Sequence, residues 1–142
     1  MLVNEFGAVG LDHHLLEIID GMEMDLDQAR YASFRDLQLY CYRVAGVVGQ
    51  LCAQIFGYQD RQTLKYAHDL GIAFQLTNII RDVGEDADRG RIYLPVQDLE
   101  RFAVPVNEIN NKQYSERFTA LMQFQAQRAH ALYDEALGLL PA

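Results

Sequence analysis

Apolar residues in this chain recur every three or four positions rather than every second one, the spacing of helices with one buried face. A first helix is predicted over about Asp12 to Asp25, with Leu15, Ile18, Ile19, Met22 and Leu26 as its apolar face. Ser33, followed three residues later by Asp36, forms a capping-box-like pair that opens a second helix. That helix runs to Phe56 and stops at Gly57, a residue suited to the left-handed position after a helix end. A third is expected from about Arg61, capped by Asp60, to near Glu85. Between Asp86 and Asn111 the breakers Gly90, Pro95 and Pro105 predict mostly loop, with one short helix around Gln97 to Phe102. The last helix spans about Gln113 to Leu140, faced by Phe118, Leu121, Met122, Ala129, Leu132 and Leu140. No strand-like alternation competes, so the expected class is all-α.

Composition narrows the functions this chain can serve. Its 142 residues make one domain's worth, and 50% hydrophobic content is enough for a core. A formal charge of -8 argues against nucleic acid, whose partners cluster Lys and Arg. It leaves room for an anionic substrate if metal ions bridge carboxylates to phosphates. No apolar run approaches a membrane span, and no basic segment precedes an apolar stretch at the start. Cys41 and Cys52 lie eleven apart on one predicted helix, too far along its axis to bridge within it. Two unpaired thiols fit a reducing cytoplasm.

The chemistry concentrates between Gln75 and Pro95. On a helix, Gln75, Asn78, Asp82 and Asp86 fall at i, i+3, i+7 and i+11, and so share one stripe. Ile72, Leu76, Ile79, Ile80 and Val83 take the other sides, as on a buried helix. Hard oxygen ligands in such a setting suit Mg²⁺, which takes one or two carboxylates and completes its shell with water and substrate phosphate. The implied partner is a diphosphate. Glu85 lies off the stripe and is expected to support it from behind. His13, His14, His68 and His130 lack ligand spacing for zinc. Tyr58, Tyr66, Tyr114 and Tyr133 read most simply as core or half-buried helix residues.

Within the second helix, Gly46 and Gly49 each cost roughly 1 kcal/mol relative to Ala. Two explanations stand open. One is close helix packing at Ala45 and Gly49, which share a face. The other is room for a long apolar substrate, with Tyr40 and Val44 on the same wall.

Met22-Glu23-Met24-Asp25-Leu26, Arg30-Tyr31, Tyr40-Cys41-Tyr42 with Val44-Ala45-Gly46, and the whole stretch from Gln75 to Pro95 resemble the squalene/phytoene synthase family. The resemblance is collinear over nearly the whole chain. It is most specific at Asn78-Ile79-Ile80-Arg81-Asp82-Val83-Gly84-Glu85-Asp86 and at Gly90-Arg91-Ile92-Tyr93-Leu94-Pro95. It implies an α-helical isoprenoid (prenyl) synthase fold, with helices around an apolar cavity and acidic motifs at its mouth. It also implies Mg²⁺-dependent head-to-head condensation of two farnesyl or geranylgeranyl diphosphates through a cyclopropylcarbinyl diphosphate. The products are of squalene or phytoene type, in hopanoid or carotenoid biosynthesis. The wording lies between the two bacterial branches, a little nearer the squalene one. Carried over by position, Asp82 and Asp86 are the second Asp-rich motif and hold Mg²⁺, with Asn78 as a further ligand. Gln75 and Asn78 orient water, metal or diphosphate. Tyr40 matches a family tyrosine that steers the cation or the proton transfers. Val44, Ala45 and Gly49 line the prenyl channel. Arg81, Arg91 and Tyr93 contact diphosphate or close the loop over it.

The family's first Asp-rich motif has no counterpart here. Asp20, Asp25 and Asp27 have the wrong spacings and read as structural or solvated. Residues 1–142 are therefore expected to be a single partial domain, truncated at both ends, with little turnover alone. Uncovered helix faces would drive self-association, and a lipophilic product would bring the protein to the inner face of a membrane. A terpene-cyclase-like enzyme and a non-catalytic helical interaction module are the alternatives. Substrate chain length and the use of NADPH are left open by the sequence, although no Gly-rich dinucleotide fingerprint occurs.

Overall fold

The structure is a computed structural model describing residues 9–27, 30–57 and 61–139. Helix α1 spans Val9–Asp27 and α2 spans Phe34–Cys41, which continues without a break through a π-helical turn at Tyr42–Gly46 into α3, Val47–Phe56. Then follow α4 (Arg61–Arg81), α5 (Val83–Asp88), α6 (Val96–Arg101), α7 (Val106–Asn110) and α8 (Glu116–Leu137). Among the described residues the sole extended pairing is one parallel bridge, Arg30 with Ile92. The fold is all-α.

The predicted cap at Ser33 forms, its hydroxyl accepting from the Asp36 amide at 3.2 Å; an unpredicted one opens the last helix at Glu116, where the Ser115 hydroxyl accepts from the Phe118 amide at 3.2 Å. Gly57 ends α3 at φ +86°, on the side of the map that favours glycine. Asp60, Tyr58 and Leu140 lie outside the described residues.

Five expectations are corrected. The helix from Ser33 is not uniform: Val47 N–H bonds to Tyr42 O, an i→i+5 closure that inserts the π turn. The third helix ends at Arg81 rather than near Glu85, and Asp82 sits between α4 and α5 at φ -102°, ψ 15°. The segment after Asp86 carries a second short helix, α7, started by Pro105 at its N-cap. The fourth concerns α1. Its contact side is Glu17, Ile18, Gly21 and Met24, which meet Arg43, Val44 and the Val47–Leu51 cluster. Leu15, Ile19, Met22 and Leu26 face outward, Leu26 at 81% exposure. The periodicity is helical as predicted, but of the predicted stripe Ile18 packs on the rest of the chain while the other four residues face outward. Tyr114, expected to be at least half-buried, is also exposed.

Helix α4 is the hub, packing on α3, on the π turn and along α8. Ile72, Leu76 and Ile79 fill its buried side, with Ile80 and Val83 partly buried against the same core. Phe118, Leu121 and Ala129 come from α8, and Tyr31, Leu37, Tyr40 and Cys41 from the α2 region. The chain after α5 returns to dock on residues 31 and 32, where Val96 N–H donates to Tyr31 O and Gln97 N–H to Ala32 O, at 2.8 and 3.0 Å. Buried Asp98 accepts from Gln125 and Arg128, both at 2.8 Å, and ties α6 to α8. These contacts fix α4 and the returning strand of chain, the two elements that carry the acidic stripe and Tyr93.

Candidate functional site

The break at Asp82 leaves the stripe intact. Asp82 N–H still donates to Asn78 O at 2.9 Å, and Asp86 N–H to Asp82 O at 2.8 Å. The α4-to-α5 junction is therefore a kink within a continuing hydrogen-bond ladder, and the i, i+4 geometry survives it. Gly90 then reverses the chain at φ +75°, with no room problem around it. Arg91 N–H bonds to Asp86 O at 2.9 Å, which swings Tyr93 back beside the stripe.

The outcome is a polar cavity of about 210 Å³ lined by Tyr40, Gln75, Asn78, Ile79, Arg81, Asp82, Asp86 and Tyr93. It shares Gln75 and Asn78 with a mostly apolar groove of about 540 Å³ between α3 and α4. Val44, Ala45, Val48 and Gly49 form one wall of that groove, and Tyr66, Leu70 and Phe74 the other. Thus Val44, Ala45 and Gly49 line the groove rather than the acidic cavity, and Gln75 and Asn78 stand where the two meet. Phe74 is 53% exposed at the groove. A further depression of about 610 Å³, beside Arg30 and Arg117, contains none of the stripe.

The close-packing explanation for the helix glycines is seen directly, and a groove lies beside the contact. A Cβ on Gly49 would lie 2.4 Å from Ala67 O, and one on Gly71 would lie 2.5 Å from Ala45 O. The backbones of α3 and α4 touch there. With small side chains on both helices, the same stretch leaves a trough above the contact.

Charge within the cavity is unevenly held. Arg81 donates twice to Asp82, Nε to Oδ1 at 2.7 Å and Nη2 to Oδ2 at 2.8 Å. That pair holds the Asp82 carboxyl below its ordinary range. Burial, and next the negative charge of Asp82, pushes the Asp86 carboxyl upward. Two carboxylates one turn apart, one of them resisting ionisation, make a place where a divalent cation would relieve repulsion. Asn78 adds an amide oxygen one turn earlier. No group of three His, Cys, Asp or Glu side chains that could hold a metal ion occurs among the described residues. That donor set fits Mg²⁺ shared with a phosphate better than a closed all-protein site.

Tyr40 and Tyr93 also line this cavity, and the fully buried Tyr31 packs behind them. Tyr40 and Tyr93 stack with ring centres 5.4 Å apart, and Tyr31 lies 5.4 Å from Tyr40 and 6.0 Å from Tyr93. Burial drives the Tyr40 hydroxyl well above its ordinary pKa, and burial with the Asp25 hydrogen bond pushes Tyr93 up to about 12. Asp25, read from the sequence as structural or solvated, proves to contact two of the predicted site residues. It accepts from Tyr93 Oη at 2.6 Å and from Arg91 Nη1 at 3.0 Å. The signal available was its place in the Met22–Leu26 block; its spacing to other acids said nothing. Asp20 is exposed, and the side chain of Asp27 is outside the described residues. Arg81 and Arg91 are thus engaged by carboxylates, and Glu85 is exposed off the stripe.

The squalene/phytoene synthase family model matches residues 11–142. The chain is 44% identical to a phytoene synthase of Arthrospira platensis, over 95% of this chain and 48% of that one. It is 43% identical to a phytoene synthase of Mycobacterium tuberculosis, over 88% of this chain and 42% of that one. Among solved structures, it superposes on the squalene synthase HpnC of Alicyclobacillus acidocaldarius with a TM-score of 0.83 at 30% identity, covering 89% of this chain and 48% of that one. A ligand-bound dehydrosqualene synthase gives 0.83 at 36% identity, covering 89% and 45%. The chain spans about half the length of the curated relatives it matches.

Proposed function

Because the chain belongs to the squalene/phytoene synthase family, we propose that it carries the second acidic motif and part of the prenyl channel of a head-to-head prenyltransferase. One observation supports this above the others: the acidic cavity and the apolar groove share Gln75 and Asn78. A prenyl diphosphate has that shape, a charged head on an apolar tail. Asp82 and Asp86, with Asn78, would hold Mg²⁺. When bound, the ion neutralises a leaving diphosphate and so lowers the barrier to its departure.

The chain's own residues do the rest. Gln75 and Asn78 fix the junction of head and tail. Val44, Ala45 and Gly49 shape the groove around the isoprenoid, whose apolar lining keeps water from an allylic cation. Tyr40 lies across from the stripe, where positive charge would develop. Arg81 can exchange its carboxylate partner for a phosphate oxygen, since both suit a guanidinium fork.

The curated relatives above are phytoene synthases, and on that ground the phytoene branch, with geranylgeranyl diphosphate, is the preferred assignment over the squalene branch. The exposed face of α1 is the ground for self-association, and a lipophilic product for a peripheral membrane location. No described helix is long and apolar enough to cross a membrane.

Calorimetric titration with an inert thiodiphosphate analogue of geranylgeranyl diphosphate tests the reading. Binding is expected with Mg²⁺, and is expected to vanish without it and in Asp82→Asn. Mg²⁺-independent binding, or none in a folded sample, would sink the proposal. In that case a non-catalytic helical module becomes the better account.

A further inference from the structure

Phe74 is the bulky side chain at the polar end of the apolar groove, next in sequence to Gln75, where the groove meets the acidic cavity. More than half of its surface is exposed, and an aromatic ring on an open helix face changes rotamer freely unless something fixes it. What fixes it lies outside the groove. Tyr133 of α8 meets Phe74 edge to face, with ring centres 5.7 Å apart and planes at 67°. The Tyr133 hydroxyl is 2.9 Å from Thr77 Oγ1. Donor counting gives that bond its direction. The Thr77 hydroxyl carries one proton and donates it to Ala73 O at 2.9 Å, the carbonyl four residues back on the same helix. Thr77 Oγ1 therefore accepts, and Tyr133 donates. The phenol is pinned to the turn of α4 that bears Phe74.

We infer that Tyr133 is a positioning residue for the groove: its bond to Thr77 holds the ring edge-on to Phe74 and so sets how the groove stands at its polar end. Neither Tyr133 nor Thr77 lines the groove or the acidic cavity, so the effect passes through Phe74. The consequence for substrates rests on the proposed prenyl-transfer reading. A fixed Phe74 grips the part of an isoprenoid tail next to its diphosphate, and a ring free to swing holds it loosely. Tyr133 thus acts on recognition of the tail and leaves recognition of the head alone. It also makes α8, which contributes no lining residue, part of the specificity of the site.

The chain contains no tryptophan, so Phe74→Trp places a single fluorescent reporter at the groove. Its anisotropy is expected to fall when Tyr133→Phe removes the donor, and to fall as far when Thr77→Val removes the acceptor. The two substitutions together are expected to give no further fall, because they break one bond. Both keep the bulk of the side chain, so a Tyr133 that merely fills space predicts no change. Unchanged anisotropy, or a fall in only one variant, would overturn the inference. If Thr77→Val fails to fold by circular dichroism, Thr77→Ala takes its place. With Phe74 restored, geranylgeranyl thiodiphosphate and inorganic diphosphate are each titrated with Mg²⁺ into the unsubstituted chain and Tyr133→Phe. Affinity for the thiodiphosphate is expected to drop roughly two- to tenfold, the worth of one aromatic pair, with no change for inorganic diphosphate. Equal losses for the two ligands, or none for either, would count against the tail-specific role. If neither ligand binds the unsubstituted chain, the proposed function goes, and the anisotropy alone decides whether Tyr133 positions Phe74.

Discussion

At Asp86 the demands of folding and of cation binding oppose each other, because burial and then Asp82 disfavour its ionised form. A carboxyl whose folded pKa is raised contributes its stability below the unfolded pKa, and loses it as pH rises through the folded value. At neutral pH the charge on Asp86 is therefore a net cost to the fold. Asp86→Asn is expected to raise the thermal midpoint at neutral pH, measured by circular dichroism. The gain should disappear below about pH 4, where the native carboxyl is already neutral. The same variant is expected to lose Mg²⁺-dependent diphosphate binding. A lower midpoint at neutral pH would contradict this account. The stripe itself was legible, since helix geometry alone places Gln75, Asn78, Asp82 and Asp86 together. Asp25 was not, because its partners Arg91 and Tyr93 lie 66 and 68 residues away and no local spacing records such a pairing.

Among the elements, the α3–α4 crossing depends on Gly49 and Gly71, whereas Gly84 in α5 is in no tight contact. Gly49→Ala would push a methyl against the carbonyl of Ala67, and backbone cannot rotate aside as a side chain can. A loss of about 1–3 kcal/mol is expected in urea unfolding, the usual cost of overpacking. Gly84, in α5, has its nearest neighbours at 3.8 Å, the tips of Lys112 and Tyr114. Gly84→Ala should therefore be neutral or stabilising by up to about 1 kcal/mol, the helix-propensity difference. Equal effects at the two positions would refute the packing argument. In the second turn of α8, Leu121 is fully buried against the common core, and Leu121→Ala should cost about 2–5 kcal/mol by the same measurement. The helices were legible in outline because their caps and periodicity are local signals. The π turn was not: Tyr42, Arg43, Val44, Ala45 and Gly46 suit an α-helix equally well by pattern. Nor was α7, a five-residue helix between breakers.

For the whole molecule, the open question is what covers α1. Leu15, Leu16, Ile19, Met22 and Leu26 form an uncovered apolar row, and monomers rarely keep such a row in water. Light scattering is expected to give a mass above that of one 16.2 kDa chain. Leu16→Gln combined with Leu26→Gln should shift it toward one chain without loss of helicity. A single-chain mass for the unsubstituted protein would remove self-association from the account. The sequence by itself determined the all-α class, the helix starts at Ser33 and near Arg61, and the acidic stripe. Each of these follows from neighbours within one or two turns, where backbone geometry fixes who meets whom. Only the tertiary structure decided which side of α1 packs, that the groove and the acidic cavity meet at Gln75 and Asn78, and that Asp25 pairs with Tyr93 and Arg91. Those are contacts between distant parts of the chain, set by how whole helices pack, and a local pattern holds no record of them.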